Sequence, residues 1–418
     1  MSAPLPVRHR LRRSTSVAAT TALALAASIL LGTLPALSAG ASGMMHGLSA
    51  SSAVPGTTVV KGDTVPTVAH LNSLSFTVPG PLGVGETTLT LPTNGQLVEV
   101  WYPATKASVA GRQLATYNVA SWLPPAIAKL IPAGFSVTYP SGGVTGVPVA
   151  TGRYPLVLFS HGYSGFRDQS TFLTSWLASW GFVVAAPDHQ SRDLTAVLGG
   201  PKGTTTDVGD LQATLSLMQA QNLSPSSPFH GHIDTRLVGA VGHSAGGAAV
   251  EALAATDRRV TTFIGLAGAT VGAFGQKQGG IYTKVPRQPG MLMSGASDKV
   301  VPTASIVAAY GRLNSPKRLI VLHGAGHLVF SDLCEIGSGQ GGLLSIAAAL
   351  KIPVPAQLNL LATDGCQAPD VSPPVQWPVI RQAVTAQIRY IFGFDPSNAG
   401  LARLRVAYPS TVAVNRAS

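Results

Sequence analysis

The chain has two cysteines in 418 residues, and only 11% of its residues are charged and 6% aromatic. Two cysteines allow at most one disulfide. The low charged fraction, beside a hydrophobic fraction of 45%, argues against a disordered chain and for a compact, loop-rich one. No internal repeat is visible, so a solenoid or array is excluded. There is no dense basic cluster with interleaved aromatics, which speaks against nucleic-acid binding despite a net charge of +11. There is no His-Glu-x-x-His and no other clustered ligand spacing, so no metal and no cofactor are expected. After the N-terminal leader no apolar run is long enough to span a bilayer.

The leader itself is distinctive. Four of the positive charges, Arg8, Arg10, Arg12 and Arg13, precede an apolar run from Val17 to Leu37. Small residues follow, and Ala39-Gly40-Ala41 is an acceptable cleavage junction. Residues 1–41 therefore read as a signal peptide, and the protein as secreted or held in the cell envelope. An uncleaved membrane anchor is the alternative. Residues 42–73, rich in Gly, Ser, Thr and Pro, read as a flexible linker. In an exported protein Cys334 and Cys366 pair most simply as a disulfide. That bond would close a loop of about 33 residues and stabilise the fold by about 3–4 kcal/mol.

From Leu74 the chain reads as one folded unit to residue 395, followed by a tail, 396–418. Thr87–Leu91 and Leu97–Tyr102 alternate like strands around Pro92-Thr93-Asn94-Gly95, an antiparallel N-terminal hairpin at a sheet edge. Leu156–Ser160 is almost wholly apolar, as a parallel strand covered on both faces requires. Further strands are expected at Phe182–Ala186, Leu237–Val241, Thr262–Leu266, Met291–Ser294 and, last, Arg318–Leu322. Helical spacing marks Asp168–Trp180, Asp207–Gln221, Ala248–Ala255, Pro302–Leu313 and Val379–Phe392. Alternating strands and helices imply an α/β fold: a mostly parallel central sheet with helices on both faces. Residues 103–150 and 333–375 are less regular and read as pocket-shaping insertions. Within the first, Ser121 is a candidate cap for a helix entered through Pro124-Pro125 and ended by Pro132 and Gly134. That helix is either packed on the core or a mobile cover at the site's mouth.

The chemistry is organised around Gly242-His243-Ser244-Ala245-Gly246-Gly247. Gly-x-Ser-x-Gly between a strand and a helix places a serine hydroxyl on a sharp, strained turn, exposed at the top of the sheet. A serine needs an adjacent base, and the base an orienting acid, in the chain order Ser, acid, His. Asp298, directly after the strand Met291–Ser294, is the candidate acid; capping the next helix is its bland role. His327, in the glycine-rich loop after the last strand, is the candidate base, with His323 its rival. An oxyanion hole needs two backbone N–H groups. Ala245, following the nucleophile, and Tyr163, in His161-Gly162-Tyr163-Ser164-Gly165, are the candidate donors. His161, His189 and His243 read as structural.

Several stretches carry a family likeness: Val100-Trp101-Tyr102-Pro103, Tyr154–Tyr163, Gly181–His189 and Gly242–Gly247. The chain resembles the serine α/β-hydrolases of the platelet-activating factor acetylhydrolase and dienelactone-hydrolase-like group. It is similar also to secreted bacterial lipases and cutinase-like polyester hydrolases. The resemblance implies an α/β-hydrolase fold, with Ser244, Asp298 and His327 as triad and Tyr163 and Ala245 as oxyanion donors. It departs in two respects: dienelactone hydrolases proper use a cysteine nucleophile, and residues 103–150 and 333–375 match no pattern of the group. The expected function is a secreted carboxylic ester hydrolase working through an acyl-enzyme. The alternatives are an acyltransferase, or a non-catalytic envelope protein on a hydrolase scaffold. The expected partner is a small-molecule or lipid ester, with peripheral contact to lipid or envelope; the expected state is a monomer.

Overall fold

The computed structural model of the protein describes residues 65–270 and 284–418, together with Thr57–Thr58, which pairs antiparallel with Thr67–Val68. The leader, its Ala39–Ala41 junction and most of the linker lie outside the described residues. Among the described residues no helix is long and apolar enough to cross a membrane.

The main sheet has ten strands: β1 (Gly83–Thr90), β2 (Leu97–Ala104), β3 (Val144–Thr145), β4 (Tyr154–Ser160), β5 (Val183–Pro187), β6 (Ile233–His243), β7 (Thr262–Leu266), β8 (Gly290–Gly295), β9 (Lys317–Leu322) and β10 (Val412–Ala417). They lie in the order β10-β9-β8-β7-β6-β4-β5-β2-β1-β3. From β9 to β5 every neighbour is parallel. The hairpin β1–β2 joins antiparallel to β5. It does not form the edge: β3 lies outside it, parallel to β1.

Alternation along the central strands builds two cores. Leu156 and Leu158 of β4 face one, and Val157 and Phe159 the other. The first is closed by α2 (Asp207–Leu223), α3 (Ala245–Thr256) and α4 (Thr303–Arg312) through Leu211, Leu215, Leu253 and Ile306. The second is closed by α1 (Thr171–Ser179) and by the long helix Pro373–Ile391, through Leu173, Leu177, Ile380 and Val384. Each such side chain, fully withdrawn from water, contributes roughly 1.5–3 kcal/mol.

Three further expectations need correction. Residues 396–418 are not a tail. They carry two short helical turns and then β10, which pairs antiparallel with β9, so Lys317–Leu322 is not the last strand. The closing helix begins at Pro373 rather than Val379, with Pro373 and Pro374 in its first turn and Pro378 inside it. Proline is tolerated in a first turn because the missing N–H has no helical acceptor there. Finally, Ser121 caps nothing: it lies inside a 3-10 turn, Val119–Trp122, whose cap is Asn118, accepting from the Ala120 N–H at 3.0 Å. A separate helical turn, Pro125–Ala128, follows.

Candidate active site

Ser244 stands between β6 and α3 with φ +56° and ψ −120°, a left-handed backbone that a non-glycine residue rarely adopts. The turn is possible because the flanking glycines have no Cβ. One on Gly242 would lie 2.1 Å from the Gly246 carbonyl oxygen, and one on Gly246 would lie 2.1 Å from that of Ser160. The serine is thereby lifted to the C-terminal end of the sheet, at the N-terminus of α3. The helix's first N–H groups, Ala245's among them, have no intrahelical acceptor and favour negative charge.

The structure brings the three spaced residues together. Ser244 Oγ lies 2.9 Å from His327 Nε2, and His327 Nδ1 lies 2.9 Å from Asp298 Oδ2. Asp298 is held in turn by the N–H groups of Val300 and Val301, which donate to its Oδ1 at 2.9 and 2.7 Å. It therefore stands within hydrogen-bond reach of the candidate base, but it does not cap α4, whose N-cap is Pro302 with no side-chain hydrogen bond. His323 is exposed at the end of β9, whereas His327 is fully buried. Tyr163 and Gly162 border the same cavity as Ser244 and His327.

Four residues that sequence reading did not single out, or read as bland, hold this line in place. The Asp364 carboxylate accepts from the backbone N–H of His327 at 2.9 Å and of Lys299 at 3.0 Å, clamping the base loop to the acid loop. Gln169 accepts from the Gly162 N–H at 2.9 Å and reaches His243 Nδ1 at 2.8 Å. His243 Nε2 lies 3.1 Å from the His327 carbonyl oxygen. A neutral imidazole with its proton on Nε2 fits both contacts. Burial, and then the neighbouring His327, push the His243 pKa well below the usual range and keep it neutral. His161 likewise orders its own loop, through Nδ1 to the Gly162 oxygen at 2.8 Å. No local pattern announces Asp364, whose partners lie 37 and 65 residues away, or the bond of Gln169 to His243, 74 residues away.

The cavity above Ser244 is apolar. Leu123, Ile131 and Phe135 line it from the first insertion, and Leu343, Ile346 and Leu350 from the second. The first insertion is pinned as well as lining. Trp122 stacks on Phe166 with ring centroids 4.4 Å apart and donates to Asp188 Oδ1 at 3.0 Å. The second insertion is tied across by the disulfide Cys334–Cys366. Each cysteine follows a buried aspartate by two residues: Asp332, which accepts from the Phe172 N–H at 3.1 Å, and Asp364.

Among the described residues, one group of His and Asp has metal-like spacing: His189, Asp207 and Asp210. Most of its ligand atoms are engaged within the protein, although Asp210 Oδ1 is buried without a hydrogen-bond partner. His189 Nδ1 lies 3.0 Å from Asp210 Oδ2, and Asp207 Oδ2 accepts from Arg192 Nε at 2.6 Å.

A predominantly parallel sheet with helices on both faces, carrying a serine on a strained strand-to-helix turn, decides the architecture. The fold is that of an α/β-hydrolase. Comparison with known proteins agrees. The chlorophyllase family, which has this fold, matches the chain over residues 119–272, a stretch that holds Tyr163 and Ser244 but ends before Asp298 and His327. The platelet-activating factor acetylhydrolase of Cavia porcellus is 44% identical over 50 residues, 12% of each chain. That of Canis lupus familiaris is 33% identical over 99 residues, 23% of this chain and 21% of its own. The likeness is therefore partial, spanning no more than about a fifth of these two relatives. It is to esterase-like hydrolases.

Proposed function

We infer that the protein is a carboxylic ester hydrolase working through a Ser244–His327–Asp298 triad. One observation carries the reading: the hydrogen-bonded line from Asp298 through His327 to Ser244 ends on a strained turn at the floor of an apolar cavity. Ser244 Oγ attacks the ester carbonyl carbon while His327 Nε2 takes its proton. Asp298 holds the Nδ1–H tautomer and stabilises the imidazolium. The N–H groups of Tyr163 and Ala245 receive the oxyanion. When the tetrahedral intermediate collapses, its C–O bond to the alcohol breaks and His327 returns the proton to the leaving oxygen. Water, deprotonated by His327, then releases the acid and restores Ser244.

The leucine-rich lining of the cavity favours an apolar acyl or alkyl group. The basic leader and its small-residue junction support export. A fluorophosphonate probe should label the wild type and not Ser244→Ala, and only the wild type should hydrolyse nitrophenyl esters. A chain-length series of those esters reads the pocket. Activity confined to the shortest acyl group would overturn the apolar-substrate part of the proposal while leaving the ester hydrolase standing.

A further inference from the structure

The loop that carries Tyr163 is gripped from behind by one buried cation. Arg192 is 2% exposed. Its Nη1 donates to the Gly162 carbonyl oxygen at 2.5 Å, its Nη2 to Ser160 Oγ at 3.3 Å, and its Nε to Asp207 at 2.6 Å. Its own carbonyl accepts from the Ser164 N–H at 2.9 Å, holding a residue with φ +57°. One side chain thus spans the last residue of β4, the loop after it and the N-terminus of α2.

The Gly162 oxygen has two more donors. The Gly165 N–H reaches it at 3.1 Å, and His161 Nδ1 at 2.8 Å. The proton on that imidazole is assigned by its other nitrogen, since Nε2 accepts from the His189 N–H at 2.9 Å. Nδ1 therefore carries the hydrogen and donates. A carbonyl so loaded has two consequences. In a trans peptide the C=O and the following N–H point in opposite directions, so fixing the Gly162 oxygen on Arg192 fixes the Tyr163 N–H on the opposite side. Hydrogen bonds to a carbonyl also polarise the amide and strengthen its N–H as a donor. The gain is greatest where a donor is charged.

We propose that Arg192 is a positioning residue for oxyanion stabilisation: anchored by Asp207, its guanidinium orients and polarises the Gly162–Tyr163 peptide so that the Tyr163 N–H meets the developing negative charge. The proposal rests on the ester-hydrolase reading above. It also gives the cluster of His189, Asp207 and Asp210 a task, as the counter-charge that seats Arg192 and the oxyanion loop.

The test separates transition-state from ground-state effects. Arg192→Met should lower kcat on a nitrophenyl ester by about 10²–10³, the loss typical of removing one oxyanion donor, with KM within about threefold. The inhibition constant of an alkylboronic acid, which forms a tetrahedral adduct on Ser244, should rise in proportion to the fall in kcat/KM. Arg192→Lys keeps the charge but cannot hold Gly162 and Asp207 together, and should fall between the two. If Arg192→Met does not fold, Asp207→Asn serves instead. It leaves the guanidinium but removes its anchor, and should cost roughly tenfold in kcat at unchanged KM. Folded variants with kcat within threefold of wild type, or boronate affinity that does not follow kcat/KM, would overturn the proposal while the ester-hydrolase reading stands. A wild type that neither turns over esters nor takes the fluorophosphonate label overturns both.

Discussion

Ser244–His327–Asp298 and Ser160–His189–Asp210 are built from the same three residue types at nearly the same spacing. The hydrogen-bond distances are 2.9 and 2.9 Å in the first, and 2.8 and 3.0 Å in the second. Ser160 is the last residue of β4, and Ser244 directly follows the neighbouring strand β6. What separates them is the backbone and what lies above it. Ser160 belongs to a regular strand, is fully buried, and has Arg192 donating to its oxygen. Ser244 sits one residue past its strand on a strained turn, at a helix N-terminus, and opens on the apolar cavity. Hydrogen-bond geometry alone therefore does not make a nucleophile. Access, oxyanion donors and a turn that lifts the hydroxyl do. Under the proposed function, the second line is scaffolding for the loop that serves the first.

The contrast is broken most directly by paired variants. Ser244→Ala should lower kcat on a nitrophenyl ester by about 10⁵–10⁶, as loss of a triad serine does elsewhere. Ser160→Ala should stay within about tenfold of wild type, the size of a small displacement of the oxyanion loop, and should keep the fluorophosphonate label. A Ser160→Ala variant as inert as Ser244→Ala would erase the distinction.

Next in size is Asp364→Ala. It frees the His327 and Lys299 N–H groups together, letting base and acid drift apart. A fall of about 10–100-fold in kcat with little change in KM is expected, and a larger effect on KM than on kcat would argue against the clamp. Replacing both Cys334 and Cys366 with serine should cost about 3–4 kcal/mol of stability in denaturant titration. The folded variant should keep its activity within about threefold, since Asp364 still holds the loops by hydrogen bonds.

The smallest effect on turnover is expected far from both lines. Glu86, on β1, is buried beside the Ser141 hydroxyl, and burial raises its pKa from 4.5 to about 7. The folded state therefore keeps a proton that the unfolded chain has released. Its contribution to stability is full below about pH 4.5 and is lost as pH rises through about 7. Wild type should melt lower at pH 8 than at pH 5, and Glu86→Gln should narrow that gap without touching kcat. An unchanged gap would remove Glu86 from the pH dependence.

Legibility followed sequence separation. Thr262–Leu266 was readable to the residue, and Leu156–Ser160 to within two, because a strand buried on both faces is apolar whatever surrounds it. The turn at Ser244 was readable because its glycines are within two residues of the serine. β10 was not, because Val412–Ala417 becomes a strand only by pairing with β9, almost a hundred residues earlier in the chain. The start of α1 was misplaced by three residues. The N–H groups of its first residues are met by Asp332, which no window around residue 170 contains. The insertions were legible only as irregular, since their apolar residues face a cavity built from both of them.

The sequence by itself determined the class of fold, through strands apolar on both faces alternating with amphipathic helices. It also determined the order of the candidate serine, acid and base, each on a loop after a strand. Those features rest on local sterics and periodicity, which a short window contains. Only the tertiary structure decided which of two Ser–His–Asp lines opens on a cavity. It alone showed that Asp364 clamps the base and acid loops, and that Arg192 faces the back of the Tyr163 peptide. Those are contacts between residues tens of positions apart, set by how the sheet stacks its strand ends side by side.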